Sequence, residues 1–170
     1  LQSSSDICLV ALGEDQCQIN IICLKTRQII EKLKPELSKS FGMCMCLKSV
    51  DTERKTLFAG YESGDIILWD LETSKMISKL NVHKEPVMCI DFDLNSKRAV
   101  TGSAEDKITE FKLTADRNLE VEKTVQIKNC GISDVKIRGD CKIFATGGWD
   151  HKLRIFSWRS LKPLAILNYH

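Results

Sequence analysis

The chain has 170 residues, 43% of them hydrophobic and 28% charged, with 25 Lys and Arg against 23 Asp and Glu for a formal net charge of +2. Such a composition belongs to a folded domain and excludes a disordered tail. No run reaches the roughly 18 apolar residues of a membrane helix, LQSSSDICLV at the start lacks a basic, apolar leader pattern, and the evenly spread charge offers nucleic acid no concentrated basic face.

In chain order, the first segment that demands a decision is TRQIIEKLKPEL at 26–37, which sets Ile29, Ile30, Leu33 and Leu37 at helical spacing. Pro35 interrupts it, and LKTRQIIEKL at 24–33 lines up with LETSKMISKL at 71–80, so a strand is predicted at 28–33. Next come MCMCLKSV, a turn at DTERK, TLFAG, a turn at YESG, DIILWDL, a turn at ETS, and KMISKL. Short β-branched or aromatic runs between closely spaced turns predict strands at 55–60, 65–70 and 75–80. The same order returns toward the end and predicts strands at 142–147, 152–158 and 163–167. Both faces of these strands carry apolar residues, as in a small sheet held between neighbours.

This order is an internal repeat. Glycines stand at Gly13, Gly60, Gly102 and Gly147, at spacings of 47, 42 and 45. Six residues after each lies Ile19, Ile66, Ile108 or Leu153, and nine after each lies Ile22, Trp69, Phe111 or Phe156. LNVH at 80–83 also matches LNYH at 167–170. A period of ~40–48 residues is that of a four-stranded propeller blade. The fold class expected is all-β: about four blades, approximately 1–38, 39–82, 83–127 and 128–170, of a larger and usually seven-bladed ring. The first unit lacks an evident first strand, and His170 matches His83, which opens a unit.

The repeat resembles the WD-repeat family over essentially the whole chain. The carrying residues are AGYESGDIILWDL at 59–71, with Trp69-Asp70 closing the third strand, His83 before Val87, and the weaker copies TGSAEDKITEFKL at 101–113 and TGGWDHKLRIFSW at 146–158. The resemblance implies a hydrogen-bond relay of His, Ser or Thr, Asp and Trp in each well-formed blade. Carried over, the third copy offers His83, Thr101, Glu105 or Asp106, and Phe111, which has no indole N–H. The second has Trp69, but Ala59 and Ser63 in the hydroxyl and carboxylate places. The fourth has Thr146, Asp150 and Phe156, with Lys128 in the histidine place. Packing is therefore expected to hold the blades more than the relay does.

Eight cysteines, at 8, 17, 23, 44, 46, 89, 130 and 141, include no C-x-x-C pair, and only three histidines accompany them, so zinc spacing is absent. Those within MCMCL and VMCI behave as small hydrophobes, and the set is expected to be reduced and mostly buried. No glycine-rich phosphate loop, nucleophile elbow or histidine pair points to catalysis. His83 and Cys89 are near in sequence, but the repeat puts one before the first strand and the other inside it. Arg138-Gly139-Asp140 falls where the chain must reverse and reads as a turn rather than an adhesion motif.

Trp149 stands in the turn between second and third strands, where the other copies have Glu62 and Ala104. The blade does not require tryptophan there. The resemblance implies that this position points from the narrower propeller face toward partners, so Trp149, His151, Glu62 and Ala104 form the expected partner-binding set. Trp158, aligned with Leu71 and Leu113, is expected to pack, with Arg154 and Arg159 extending a partly exposed basic edge.

GGWDHKLRIFSWRSLKPLAIL at 147–167 is similar to the penultimate blade of the guanine nucleotide-binding protein β-subunit-like branch of the family, distinct from true G-protein β subunits. That likeness implies a non-enzymatic scaffold or adaptor linked to co-chaperone-assisted stability or assembly of phosphatidylinositol-3-kinase-related kinases. Its partners would be proteins, with no cofactor, metal, nucleic acid, membrane or small-molecule substrate, and its location cytoplasmic and/or nuclear. The alternative is a G-protein β-like signalling subunit that binds an α-like partner.

Overall fold

The structure, a computed structural model, describes residues 7–11, 17–35, 41–51 and 55–168. Gly13 and His170 lie outside the described residues. Every regular element described is a strand, in four antiparallel sheets that follow one another along the chain. The first sheet holds β1 (Ile7–Ala11), β2 (Ile19–Cys23) and β3 (Gln28–Leu33). The second holds β4 (Cys44–Ser49), β5 (Thr56–Tyr61), β6 (Asp65–Asp70) and β7 (Lys75–Asn81). The third holds β8 (Val87–Asp93), β9 (Arg98–Ser103), β10 (Lys107–Leu113) and β11 (Leu119–Gln126). The fourth holds β12 (Ile132–Ile137), β13 (Ile143–Gly148), β14 (Leu153–Ser157) and β15 (Pro163–Leu167). Within each sheet the strands lie side by side in chain order, and β4, β8 and β12 pack successively against one another, which is the arrangement of a propeller arc. Within the helically spaced segment, residues 28–33 form β3, and Leu37 lies outside the described residues.

The repeat is visible in the irregularities as well as in the strands. The third and fourth strands slip register between Ile21 and Ile22, Leu68 and Trp69, Glu110 and Phe111, and Ile155 and Phe156. Each slip falls just before the bulky apolar column seen in the sequence. A bulge increases local twist, so a bulge recurring at one place gives every sheet the same twist and lets neighbours nest. First and second strands slip likewise between Cys44 and Cys46, Val87 and Cys89, and Ile132 and Asp134.

The glycine column has a packing reason. A β-carbon on Gly60 would lie 2.7 Å from Cys46 Sγ and 2.8 Å from Val87 of the next sheet. One on Gly102 would overlap Ile132 of the fourth sheet and lie 2.8 Å from Cys89 Sγ. The two thiols complete the join: Cys46 Sγ donates to Val87 O at 3.4 Å and Cys89 Sγ to Ile132 O at 3.8 Å. At Gly147 the nearest atom, Ser133 Oγ, would be 3.6 Å away, an ordinary contact.

Three apolar clusters fill the spaces between successive sheets. Ile19, Ile21 and Leu33 meet Leu57, Tyr61 and Trp69; Phe58, Ile66 and Leu68 meet Val87, Ile90 and Phe111; Val100 and Ile108 meet Ile132, Val135, Phe144 and Trp158. The middle sheets are thus covered on both faces, and β6 is buried from Asp65 to Trp69. The fourth sheet alternates. Phe144, Thr146, Arg154 and Phe156 are buried, whereas Ile143, Ala145, Gly147, Leu153 and Ile155 on the opposite face are half-buried.

The cysteines correct the expectation that they are mostly buried. Of the seven described side chains, Cys23 and Cys89 are buried, Cys130 is exposed and Cys17, Cys44, Cys46 and Cys141 are half-buried. Their place on first strands and turns, beside sheet edges, explains the partial cover.

Candidate protein-interaction site

In the second, third and fourth sheets the turn between second and third strands is tied to the segment entering the first strand. In the second sheet Glu62 N donates to Met43 O at 2.9 Å, and Met43 N donates back to Glu62 Oε2 at 3.2 Å. In the third, Ala104 N donates to Pro86 O at 3.3 Å, and Lys84 N donates to the Glu105 carboxylate. In the fourth, Trp149 N donates to Gly131 O at 2.9 Å, and Asn129 Nδ2 donates to Asp150 Oδ2 at 2.9 Å.

The side chain at this position is matched to what lies beneath it. The indole of Trp149 rests on Gly131, whose φ of +86° also requires glycine; any β-carbon there would overlap the ring. Glu62 likewise lies over Gly42, at φ +69°. Ala104, small and half-buried, is tied instead to Pro86. Trp149 remains 53% exposed, so the structure holds one part of its indole and presents the rest to solvent. His151, at φ +59°, and Glu62 are exposed beside their turns.

The relay residues come together only in part. His83 and Thr101 are buried, with His83 Nε2 3.0 Å from Thr101 Oγ1. Thr101 gives its one proton to Thr109 O at 3.1 Å, so His83 Nε2 must be the donor and Nδ1 carries the lone pair. Nδ1 has no hydrogen-bond partner and lies 3.9 Å from Glu105 Oε2. Burial pushes the His83 pKa down to about 4 against the pull of Glu105. Of the two carboxylates expected here, Glu105 faces the histidine; Asp106 instead accepts from Gln126 Nε2 at 3.0 Å.

Two expectations in the other sheets are corrected. Trp69, placed in the relay, meets its hydroxyl elsewhere: its Nε1 donates to Tyr61 Oη at 3.3 Å, two residues along the strand from Ala59. Thr146 and Asp150 do not form a relay. The Thr146 hydroxyl is buried without a partner, and Asp150 is taken by Arg154, which donates from Nη1 to Oδ1 at 3.0 Å and from Nη2 to Oδ2 at 2.5 Å. Those hydrogen bonds hold the Asp150 pKa down to about 2. Arg154 is therefore no part of an exposed basic edge. It is 5% exposed, while Arg159 is exposed.

Trp158 is 2% exposed and locks two sheets together. Its Nε1 donates to Asp93 Oδ2 at 2.9 Å, Arg98 lies 4.5 Å over its ring, and Phe144 meets it edge-on at 5.7 Å. Burial alone would raise the Asp93 pKa, but hydrogen bonds from Ser96 and Trp158 hold it at about 2. The sequence carried no signal for this acceptor, which lies 65 residues away. Asp91 on the same strand is also buried, accepts from Ile137 N at 2.7 Å, and pairs with Lys48 at 2.5 Å and Lys136 at 3.5 Å. Arg138 and Asp140 close on each other at 2.8 and 2.6 Å, which occupies both ends of the tripeptide within its own turn. Cys89 Sγ turns to Ile132 O, whereas His83 turns to Thr101. Among the described residues no cluster of three or more His, Cys, Asp or Glu could hold a metal ion.

Comparison with known proteins bears on the same residues. Residues 2–95 match the family described as Anaphase-promoting complex subunit 4 WD40 domain, and residues 121–157 match WD domain, G-beta repeat. The chain is 40% identical to the mouse guanine nucleotide-binding protein subunit beta-like protein 1 over 165 residues, 95% of this chain and 51% of that protein. It is 32% identical to ASTRA-associated protein 1 of Schizosaccharomyces pombe, covering 85% of this chain and 44% of the relative. Against ASTRA-associated protein 1 of Verticillium alfalfae the identity is 31%, over 76% of this chain and 34% of the relative. The chain thus spans about half, or less, of the length of these relatives.

Proposed function

The chain belongs to the WD-repeat family, and we propose on that footing that it serves as a non-catalytic adaptor that recruits proteins through the turns between second and third strands. The observation that carries this reading is Trp149: a large aromatic, 53% exposed, on a tethered turn of a blade that does not need it. Such a residue gives up little freedom on binding and offers much apolar area. His151, Glu62 and Ala104 belong to the same surface.

The partners proposed are components that assemble phosphatidylinositol-3-kinase-related kinases with co-chaperones. The name ASTRA-associated, borne by several relatives, supports an assembly partner. The location proposed is cytoplasmic or nuclear, and the free thiols of Cys44, Cys46, Cys89, Cys130 and Cys141 support it. The alternative, a β-like subunit binding an α-like partner, draws on the G-beta repeat match and on the name of the mouse relative.

Affinity purification of the tagged protein followed by mass spectrometry separates the two. Recovery of kinase-assembly co-chaperones supports the first reading; recovery of Gα and Gγ chains replaces it with the second. Trp149→Ala should lower partner recovery by roughly thirtyfold in affinity, the effect of losing a hot spot of about 2 kcal/mol, with an unchanged melting temperature. Undiminished recovery would reject Trp149 as the anchor.

A further inference from the structure

The fourth sheet contains a second residue that its fold does not require. At the position of Arg154 the second and third sheets carry Ile67 and Thr109, both buried and uncharged. A guanidinium at such a place is costly to bury unless it is paired and hydrogen-bonded. Its β-strand neighbour across the pair is Thr146, whose hydroxyl is buried without a partner. The Arg154 guanidinium instead donates to the carboxylate of Asp150, the residue following Trp149.

We infer that Arg154 and Asn129 are positioning residues for Trp149, acting through the carboxylate of Asp150. The inference rests on the reading of Trp149 as a partner anchor. Asp150 is gripped from two sides, by the guanidinium fork from inside the sheet and by Asn129 Nδ2 at 2.9 Å from the segment entering β12. Both side chains of the ion pair are largely out of solvent, at 6% for Arg154 and 12% for Asp150. A fork binding two oxygens fixes orientation as well as distance. The next residue back is Trp149, whose own N–H is bonded to Gly131 and whose ring lies on that glycine. The indole is thereby fixed from beneath by Gly131 and along the chain by Asp150.

Gly148 completes the arrangement. A β-carbon there would lie 2.5 Å from Asp150 Oδ1 and 3.0 Å from Arg154 Nη1, so the ion pair fits only because the residue before Trp149 has no side chain. The second and third sheets tie their turns down with Glu62 and with Glu105, and neither presents a large apolar group there. The buried ion pair and the exposed tryptophan occur in the same turn.

The test uses the whole chain labelled with 5-fluorotryptophan, which gives one fluorine resonance for each of the three tryptophans, with Trp149→Phe identifying that of residue 149. Arg154→Met keeps a long apolar stem and removes the fork. It should shift or broaden the Trp149 resonance, leaving the Trp69 and Trp158 resonances in place. Arg154→Lys, which keeps the charge, should restore part of the native signal. Asn129→Ala, on the more accessible side of the carboxylate, should give the same change at smaller amplitude even if Arg154→Met folds poorly. Recovery of the proteins that Trp149→Ala loses should fall about tenfold in Arg154→Met. An unmoved Trp149 resonance in both Arg154→Met and Asn129→Ala would overturn the positioning role. Equal shifts of all three resonances would likewise reduce Arg154 to a general structural part. If Trp149→Ala loses no partner while the fluorine shift is present, the anchor reading fails and the positioning of the indole stands.

Discussion

Trp158 and His83 show how much a single side chain carries between sheets. Trp158→Ala should destabilise the chain by about 3–5 kcal/mol through the cavity and lost packing. Trp158→Phe keeps most of the area but takes the donor from the Asp93 carboxylate, at a cost of about 1.5–3 kcal/mol. Chemical denaturation of the two variants beside Trp149→Ala checks both figures, and the exposed tryptophan should leave stability nearly unchanged. If Trp149→Ala melts early and Trp158→Ala does not, the roles are reversed. His83 adds a pH dependence whose direction is fixed. Its pKa is about 4 in the folded chain against 6.5 in the unfolded one, so the unfolded state holds the proton more tightly. Stability complete above about pH 6.5 is therefore lost as the pH falls toward 4, by about 3 kcal/mol. Asp93 and Asp150, both held near 2, lose their contribution only below about pH 4. Melting curves between pH 7 and 4 should decline, and His83→Gln should flatten them. The histidine and threonine of this pair were legible from the family resemblance, carried over position by position. The acceptors supplied by Tyr61 and Asp93, and the guanidinium on Asp150, were not, because each involves a residue outside the repeated columns.

The repeating element is a strand pair whose bulges and glycines fall at the same places in successive sheets. Glycine spacing and the apolar columns therefore predicted strand positions to within a residue or so, including β3, where local helical spacing pointed elsewhere. Sequence periodicity records which positions face a neighbouring sheet, and that requirement recurs. It cannot record how each turn is tied down, since Glu62, Glu105 and Asp150 reach the entering segment by different bonds. Nor does a shared column mean a shared environment. Gly102 is crowded by Ile132, while Gly147 has room. Gly102→Ala should accordingly cost about 1–3 kcal/mol by overpacking, and Gly147→Ala should be close to neutral. Equilibrium unfolding of the pair tests this; equal losses would mean that the column acts through the backbone rather than through space.

For the molecule as a whole, the fourth sheet leaves one face half-buried, and its outermost strand, PLAIL, carries no charge and is exposed throughout. Leu164, Ile166 and Leu167 are 58%, 55% and 40% exposed. The outer strands β7 and β11 include lysines, the residues that commonly discourage edge pairing. The 170-residue chain on its own is expected to self-associate, and Leu164→Lys with Ile166→Lys should reduce that in light scattering; a monodisperse, cooperatively melting chain without these changes would contradict it. The joins inside the arc have a different use. Burial pushes the pKa of Cys46 and Cys89 up to about 12, and each thiol points at the carbonyl of the following sheet. Neither is a competent nucleophile while its neighbour is in place, whereas Cys130 is exposed. Alkylation in native buffer thus becomes a clock with separate hands. Cys130 should be modified at once, half-buried Cys46 more slowly, and buried Cys89 only at the rate at which the third and fourth sheets part. Peptide-resolved labelling would show whether the arc breathes one seam at a time or opens as a unit.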